Sequence, residues 1–394
     1  VNQKNKPGAA AIITLGFVQI LSWGGSFYLM AVMADPIVAE TGWSQQWVYG
    51  ALSTGILVSG LLAPLSGRII AKTGGRLLLA SSGAVMALGL VLMGLSHTLA
   101  LFLGAWMIIG TGMAMGLYDA LFATLGTRYG SQARSAITGI TLISGFCTPL
   151  VWPGTALLIH WLGWRGTCFA LAAMLVLCVL PAYCYALPQS KPIHTIKPQS
   201  LLQNDADIAP MLFWLLCAIF TLASVIMTAI SVQLISLLQA SGHSLTSALA
   251  LSAILGPCQV ASRLVDIAFK RGHPIWTTFF SVGLVATGLL LLFFFPQLAL
   301  LSMVLYGAGN GLRAIVRGTL PLAMVKPEVY AIVVGRMARP ALIGQALTPL
   351  VGGYVFETMG APATLGLLCV LAIINVLLVI ILKQKLPTPS AAFS

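Results

Sequence analysis

The sequence predicts an all-α membrane protein of twelve transmembrane helices, arranged as two pseudo-symmetric six-helix bundles. Three observations carry this. Of 394 residues, 59% are hydrophobic and only 7% charged, against roughly 25% charged in a soluble globular domain. Apolar stretches of about 20 residues recur from end to end, each long enough to cross a hydrocarbon layer of roughly 30 Å. The basic residues gather in alternate connections, as an alternating path through a bilayer requires. Inside lipid the backbone must satisfy its own hydrogen bonds, so the apolar stretches are expected to be helices.

The elements follow from the punctuation between apolar runs. The first span is expected near 11–34, before Asp35-Pro36 and Glu40-Thr41-Gly42. As an apolar run it is too long for a cleavable leader. The second, near 46–66, ends at a Gly- and base-rich loop, and the third, near 76–95, at Ser96-His97. The fourth, near 98–124, precedes Arg128 and Arg134; the fifth, near 135–160, stops at Gly163-Trp164-Arg165; the sixth runs near 166–187. The polar stretch 188–209 is expected to be a cytoplasmic linker between bundles 1–187 and 210–394. Beyond it, spans are expected near 210–239, 246–269, 274–295, 298–324, 331–357 and 361–382. Their separators carry Gly242-His243, Lys270-Arg271, Pro296, Lys326-Pro327 and Gly360-Ala361-Pro362.

Placing the N-terminus in the cytoplasm puts seventeen of the 20 Lys and Arg on that side, among them Lys4, Lys6, Arg68, Lys191, Lys197, Lys270, Arg271 and Lys383. The opposite loops hold Arg165 alone; Arg313 and Arg317 lie within a span. This asymmetry predicts both termini in the cytoplasm and explains the net charge of +12 without a nucleic-acid partner. The halves also read as weak repeats. Gly110, Gly112 and Gly116 in span four are matched by Gly307, Gly309 and Gly311 in span ten, with an offset of 197 for the first pair. Arg68 and Arg263 close spans two and eight, offset by 195. Such repeats imply a site between two bundles.

At this point the chain resembles the major facilitator superfamily over its whole length. The loop Gly67-Arg68-Ile69-Ile70-Ala71-Lys72-Thr73-Gly74-Gly75-Arg76 is similar to the family's cytoplasmic signature. Ala71 stands where the family's Asp is expected, so the glycine turn and basic tail remain and the acid does not. The loop after span eight keeps Asp266 with Arg263. Gly163-Trp164-Arg165 is a frequent junction in the family. Gly256-Pro257-Cys258-Gln259-Val260 and Gly309-Asn310-Gly311 resemble a bacterial monocarboxylate-transporter-like branch. The resemblance implies a secondary transporter, with Gly67, Arg68, Lys72, Gly74, Arg76, Arg263 and Asp266 as cytoplasmic gate residues and spans one, four, seven and ten lining the path.

Charges inside a membrane are costly and usually face a cavity or a partner. Tyr306, Asn310, Arg313 and Arg317 follow i, i+4, i+7, i+11 and share one stripe of span ten. Two guanidiniums one turn apart repel, and a carboxylate or phosphate between them relieves that and accepts bidentate hydrogen bonds. The stripe is therefore expected to hold the anionic part of a substrate. The competing expectation is that Arg317 snorkels to headgroups and Arg313 serves a structural partner. Pro321, four residues after Arg317, permits a kink. Asp119 in span four is expected either to carry a coupling proton or to pair with Arg68, Lys72 or Arg76. Gln19 and Trp23 in span one and Thr228 in span seven form weaker polar stripes toward a central cavity, where helix packing is the alternative role.

The expectation is a proton-coupled symporter of a small organic anion in the inner or plasma membrane. The alternatives are efflux of drugs or amphipathic compounds and a non-transporting receptor. The scattered His and Cys show no metal spacing, so no metal, cofactor or enzymatic centre is expected. The expected partners are the anion, protons and the bilayer, with the chain acting as a monomer.

Overall fold

The computed structural model describes residues 7–187, 209–269 and 272–386. The linker 188–208, and Lys4, Lys6, Lys191, Lys197, Lys270 and Arg271 from the charge argument, lie outside them. No strand occurs among the described residues. Eight helical runs there are long and apolar enough to cross a membrane. Two of these, Leu99–Ala186 and Pro327–Lys385, span 88 and 59 residues. At a rise of about 1.5 Å per residue each far exceeds a single crossing, and each is broken internally.

The expected first span divides into α1 (Ala9–Gly24) and α2 (Met30–Thr41), with a turn at 25–29. Gly42 ends α2 in the left-handed conformation (φ 68°), a common helix terminus. α3 (Gln45–Thr73) and α4 (Arg76–Gly94) are joined through Gly74 and Gly75, at φ 83° and 79°. Two successive left-handed residues explain why the loop needs both glycines. α5 (Leu99–Gly116) starts where the Thr98 hydroxyl accepts the Leu101 N–H at 3.3 Å. Leu117, extended at ψ −174°, interrupts the expected fourth span before α6 (Tyr118–Tyr129).

The fifth span likewise divides, into α7 (Ala133–Ser144) and the start of α8 (Cys147–Ala186). α8 bends at Gly163 (φ 67°, ψ 172°) into the expected sixth span. α9 (Pro210–Ala240) follows, then α10 (Leu245–Ala253), capped by Ser244, and α11 (Leu255–Phe269). α12 (Pro274–Phe294) opens with a proline, which lacks the N–H a first helical turn leaves unpaired. α13 (Ala299–Leu322) contains the arginine stripe and ends one residue after Pro321. α14 (Pro327–Lys385) bends at Gly360 (φ 79°, ψ 176°). Gly360 follows Gly163 by the 197 residues that separate Gly307 from Gly110, a third trace of the repeat.

The chain divides into two compact units. One is Val1–Gln203 with Val325–Ala346, and the other is Asn204–Met324 with Leu347–Ser394. In the first, a Cβ at Gly110 would collide with the Gly55 carbonyl of α3, and one at Gly112 with Met86 of α4. In the second, a Cβ at Gly307 would crowd Leu255 and Cys258 of α11, and one at Gly309 would meet Ser281 and Val285 of α12. The paired glycines thus do the same work in each unit, letting one helix sit close against two others. The core of the second unit is aliphatic, built on Ile226, Ile230, Leu289, Met303, Leu368 and Ala372, with Tyr306 among them.

Candidate functional site

The second unit contains a recess of about 320 Å³, its open mouth included. α9, α12, α13 and α14 form its walls, with Ile226, Met227, Val282 and Val285 supplying apolar surface. Three of the four stripe residues, Tyr306, Asn310 and Arg313, line it. Their helical spacing places them on one face of α13, and the aliphatic core behind buries Tyr306 to 2% exposure. The Asn310 Oδ1 accepts the Arg313 Nε–H at 2.9 Å. This contact orients a half-buried guanidinium, a rigid planar fork suited to carboxylate or phosphate. Ser281, also on the wall, donates its hydroxyl to the Gly309 carbonyl at 2.7 Å and so ties α12 to α13 beside the site.

Asn375 of α14 completes the polar lining. Sequence reasoning missed it, although a lone carboxamide among aliphatic residues is itself a signal in a membrane span. Arg317 is half-buried one turn beyond Arg313, outside the lining. Thr228 is buried on α9, also outside it, with its hydroxyl 3.9 Å from the Met227 sulfur.

In the first unit Gln19 is 0% exposed and lies at the break in the fourth span. Its Nε2 donates to the Gly116 carbonyl at 2.8 Å and to the Tyr183 hydroxyl at 3.0 Å. Its Oε1 accepts the Trp23 indole N–H at 3.1 Å. The extended Leu117 ends α5 at Gly116, leaving a helix-terminal carbonyl in need of a partner, and the Gln19 amide is that partner. Gln19 thus ties α1, α5 and α8 together and holds Trp23. Trp23 packs against Phe27, Tyr28 and Tyr118, with ring centroids 5.4, 5.8 and 5.0 Å away, and Tyr118 stacks on Phe122 at 5.0 Å. Tyr118 also hydrogen-bonds Ser144. Asp119 is half-buried in the first turn of α6, where a carboxylate is favoured by the helix dipole. Tyr330, fully buried in α14, is one of its electrostatic neighbours.

The expected gate residues fall into two groups. In the first unit Arg68 and Lys72 are exposed, while Arg76 donates Nη2–H to the Cys184 carbonyl at 2.9 Å. A Cβ on Gly67 would collide with the Ala331 carbonyl, and one on Gly335 with the Ala63 carbonyl, so α3 and the start of α14 meet backbone to backbone. In the second unit Arg263 is buried and donates Nε–H to the Gly311 carbonyl at 3.1 Å. Asp266, also buried, accepts the Thr277 hydroxyl at 2.9 Å.

A further cluster was invisible in the sequence. Glu40 accepts the Trp164 indole N–H at 2.7 Å and pairs with Arg165 Nε at 2.9 Å. Arg165 Nη1 also donates to the Gly94 and Ser96 carbonyls at 2.8 and 2.7 Å, and its guanidinium lies 4.3 Å from the Trp164 ring centroid. The hydrogen-bonded pairs lie 69 to 125 positions apart, with no periodic signal to link them.

Comparison with known proteins agrees with this architecture. The family model described as Major Facilitator Superfamily matches residues 15–337. None of the curated proteins matches the chain. Among solved structures, the human organic anion transporter MFSD10 (TETRAN) superposes with a TM-score of 0.70 at 15% identity, covering 94% of this chain and 98% of that one. The transporter FucP in its outward conformation gives a TM-score of 0.74 at 15% identity, with 95% and 98% covered. A variant of the E. coli fucose:proton symporter FucP gives 0.71, also at 15% identity, with the same coverages. At that identity these likenesses speak to the fold alone.

Proposed function

The chain belongs to the Major Facilitator Superfamily, whose members are secondary transporters working by alternating access, and from that premise we propose that its cargo is a small organic anion carried with protons. The observation that carries this reading is the Arg313 guanidinium, held by Asn310 on the wall of the recess in the second unit. A cation placed inside a membrane span is costly unless it faces a cavity or a partner, and an anionic ligand is the partner it fits best. Tyr306 and Asn310 share its face. Arg317, one turn away, attracts the anion electrostatically. Gln19 acts by holding Trp23 rather than by contact.

Asp119 is the proposed proton carrier, since it lies within a span of the first unit and is half-buried, with Tyr330 as an electrostatic neighbour. The cytoplasmic gate is proposed where Gly67 and Gly335 bring two helices into backbone contact. Twelve spans and cytoplasmic termini belong to the proposal on the strength of the charge asymmetry, and an inner-membrane location and a monomeric state complete it. The branch resemblance points the same way; of the proteins that share the fold, MFSD10 is an organic anion transporter and FucP a fucose:proton symporter.

The test is uptake of labelled organic acids into proteoliposomes under an inward proton gradient. Accumulation of a carboxylate, lost in Arg313→Ala, supports the proposal; indifference to every acid, with dye extrusion instead, rejects it. Asp119→Asn should lose gradient-driven accumulation and keep counterflow exchange. A second reading, efflux of amphipathic compounds, draws on the aromatic cluster around Trp23.

A further inference from the structure

We propose that Asn375 is a specificity-determining residue of the recess, and that the anion it selects carries a hydroxyl group. The inference rests on the reading of Arg313 as the anion's partner.

Asn375 is the one amide in the run Leu365–Leu382, which is otherwise aliphatic apart from Gly366 and Cys369. Leucine or valine would serve the packing of such a helix without cost. The Asn375 side chain is nonetheless 3% exposed, and its Oδ1 meets no hydrogen-bond partner. A buried polar atom without a partner carries its full desolvation cost, so an orphan of this kind calls for an explanation.

Its position supplies one. Asn375 and Ala372, one turn apart on α14, both line the recess that holds Tyr306, Asn310 and Arg313. Two other buried orphans of the second unit, Thr221 and Gln233, do not line it. The recess therefore presents a guanidinium on α13, a carboxamide on α14, and aliphatic walls from Ile226, Val282 and Val285. A guanidinium takes a carboxylate, and a carboxamide is at once donor and acceptor. A hydroxyl answers both needs: it donates to Oδ1 and also accepts from the amide nitrogen, so either orientation of the amide fits it. The complementary ligand is thus a small hydroxycarboxylate, with its carbon skeleton against the aliphatic wall. A carboxylate without the hydroxyl leaves the carboxamide desolvated and unpaired, and sites built around a substrate hydroxyl reject such analogues strongly.

The experiment is calorimetric binding to the purified full chain in detergent, using two pairs of acids that differ by one hydroxyl: malate with succinate, and lactate with propionate. The expected result is tighter binding of the hydroxylated member of a pair, by about 10- to 100-fold. Asn375→Leu should erase that preference, and Asn375→Ser should retain part of it. Equal affinity within each pair, or a preference that survives Asn375→Leu, overturns the proposal. Should Asn375→Leu fail to fold, Asn375→Ser decides: a preference reduced from wild type supports the proposal, and an undiminished one overturns it. Binding of acids that is weakened by Arg313→Gln yet blind to the hydroxyl removes this inference and leaves the anion reading standing. Binding of none of the four acids removes both.

Discussion

Replacing Gln19 with Leu keeps the side-chain size and deletes three hydrogen bonds, to the Gly116 carbonyl, the Tyr183 hydroxyl and the Trp23 indole. The first two are buried, and each contributes about 0.5–1.5 kcal/mol net. The third is half-buried and worth less. Tyr183 keeps a contact of 3.3 Å to the Gly116 carbonyl, which limits the penalty for a stranded acceptor. The expected loss is about 2–4 kcal/mol, a fall of roughly 5–15 °C in Tm for a unit of this size. Thermal unfolding in detergent, followed by tryptophan fluorescence, reads this directly. Gln19→Glu is a sharper version, because it replaces the two amide donors with an acceptor facing an acceptor. A Tm within 1–2 °C of wild type, with anion binding lost, would refute the reasoning, since it would make Gln19 a ligand rather than a tie.

Three other outcomes are expected. Arg165→Ala should lower Tm by more than Glu40→Gln, because Arg165 serves the Gly94 and Ser96 carbonyls while the Glu40 carboxylate is half exposed, where an ion pair is worth at most about 1 kcal/mol; equal effects in the same unfolding assay would contradict this. Gly67→Val and Gly335→Val should each cut the maximal transport rate at normal expression, because the added carbons collide with backbone rather than with flexible side chains; wild-type turnover in proteoliposomes would show that the contact is dispensable. Asp119→Asn should give pH-independent counterflow, with no accumulation under a proton gradient, and unchanged accumulation would assign the acid a structural role at the start of α6.

What the chain made legible was whatever lipid enforces locally. Apolar runs, punctuation and the placement of Lys and Arg follow from transfer energies that act on each segment alone. The helices, their order and the glycine repeat therefore read through. So did the stripe of Tyr306, Asn310 and Arg313, because helical spacing alone puts those residues on one face.

The breaks at 25–29 and Leu117 did not read through: Gly24-Gly25-Ser26 is a turn signal but sits inside a continuous apolar run, and Leu117 differs in nothing from its apolar neighbours. The turn at 25–29 is held by local backbone hydrogen bonds, such as Tyr28 N–H to the Trp23 carbonyl, whereas the Gly116 carbonyl takes a distant partner in Gln19. The Glu40, Trp164 and Arg165 cluster stayed hidden because Glu40 meets the Trp164-Arg165 pair only after folding. Gln19 reads by position as either a cavity or a packing residue, because a helix face turned toward the bundle interior looks the same in either role, and its hydrogen bonds to Gly116, Tyr183 and Trp23 form only after folding. Asn375 was visible as an amide in an aliphatic helix, but its significance depends on the recess that it shares with Arg313.

The most direct test of the central claim is uptake of a labelled hydroxycarboxylate by proteoliposomes containing wild-type protein, Arg313→Lys or Arg313→Ala, at matched incorporation. Loss of a charge-assisted hydrogen bond costs about 1.5–3 kcal/mol, or roughly 10- to 150-fold in affinity. The account predicts saturable uptake by wild type, a rise in KM of about that size in Arg313→Lys, which keeps the charge but lacks the planar fork, and no uptake by Arg313→Ala. Unaltered uptake by Arg313→Ala would contradict it.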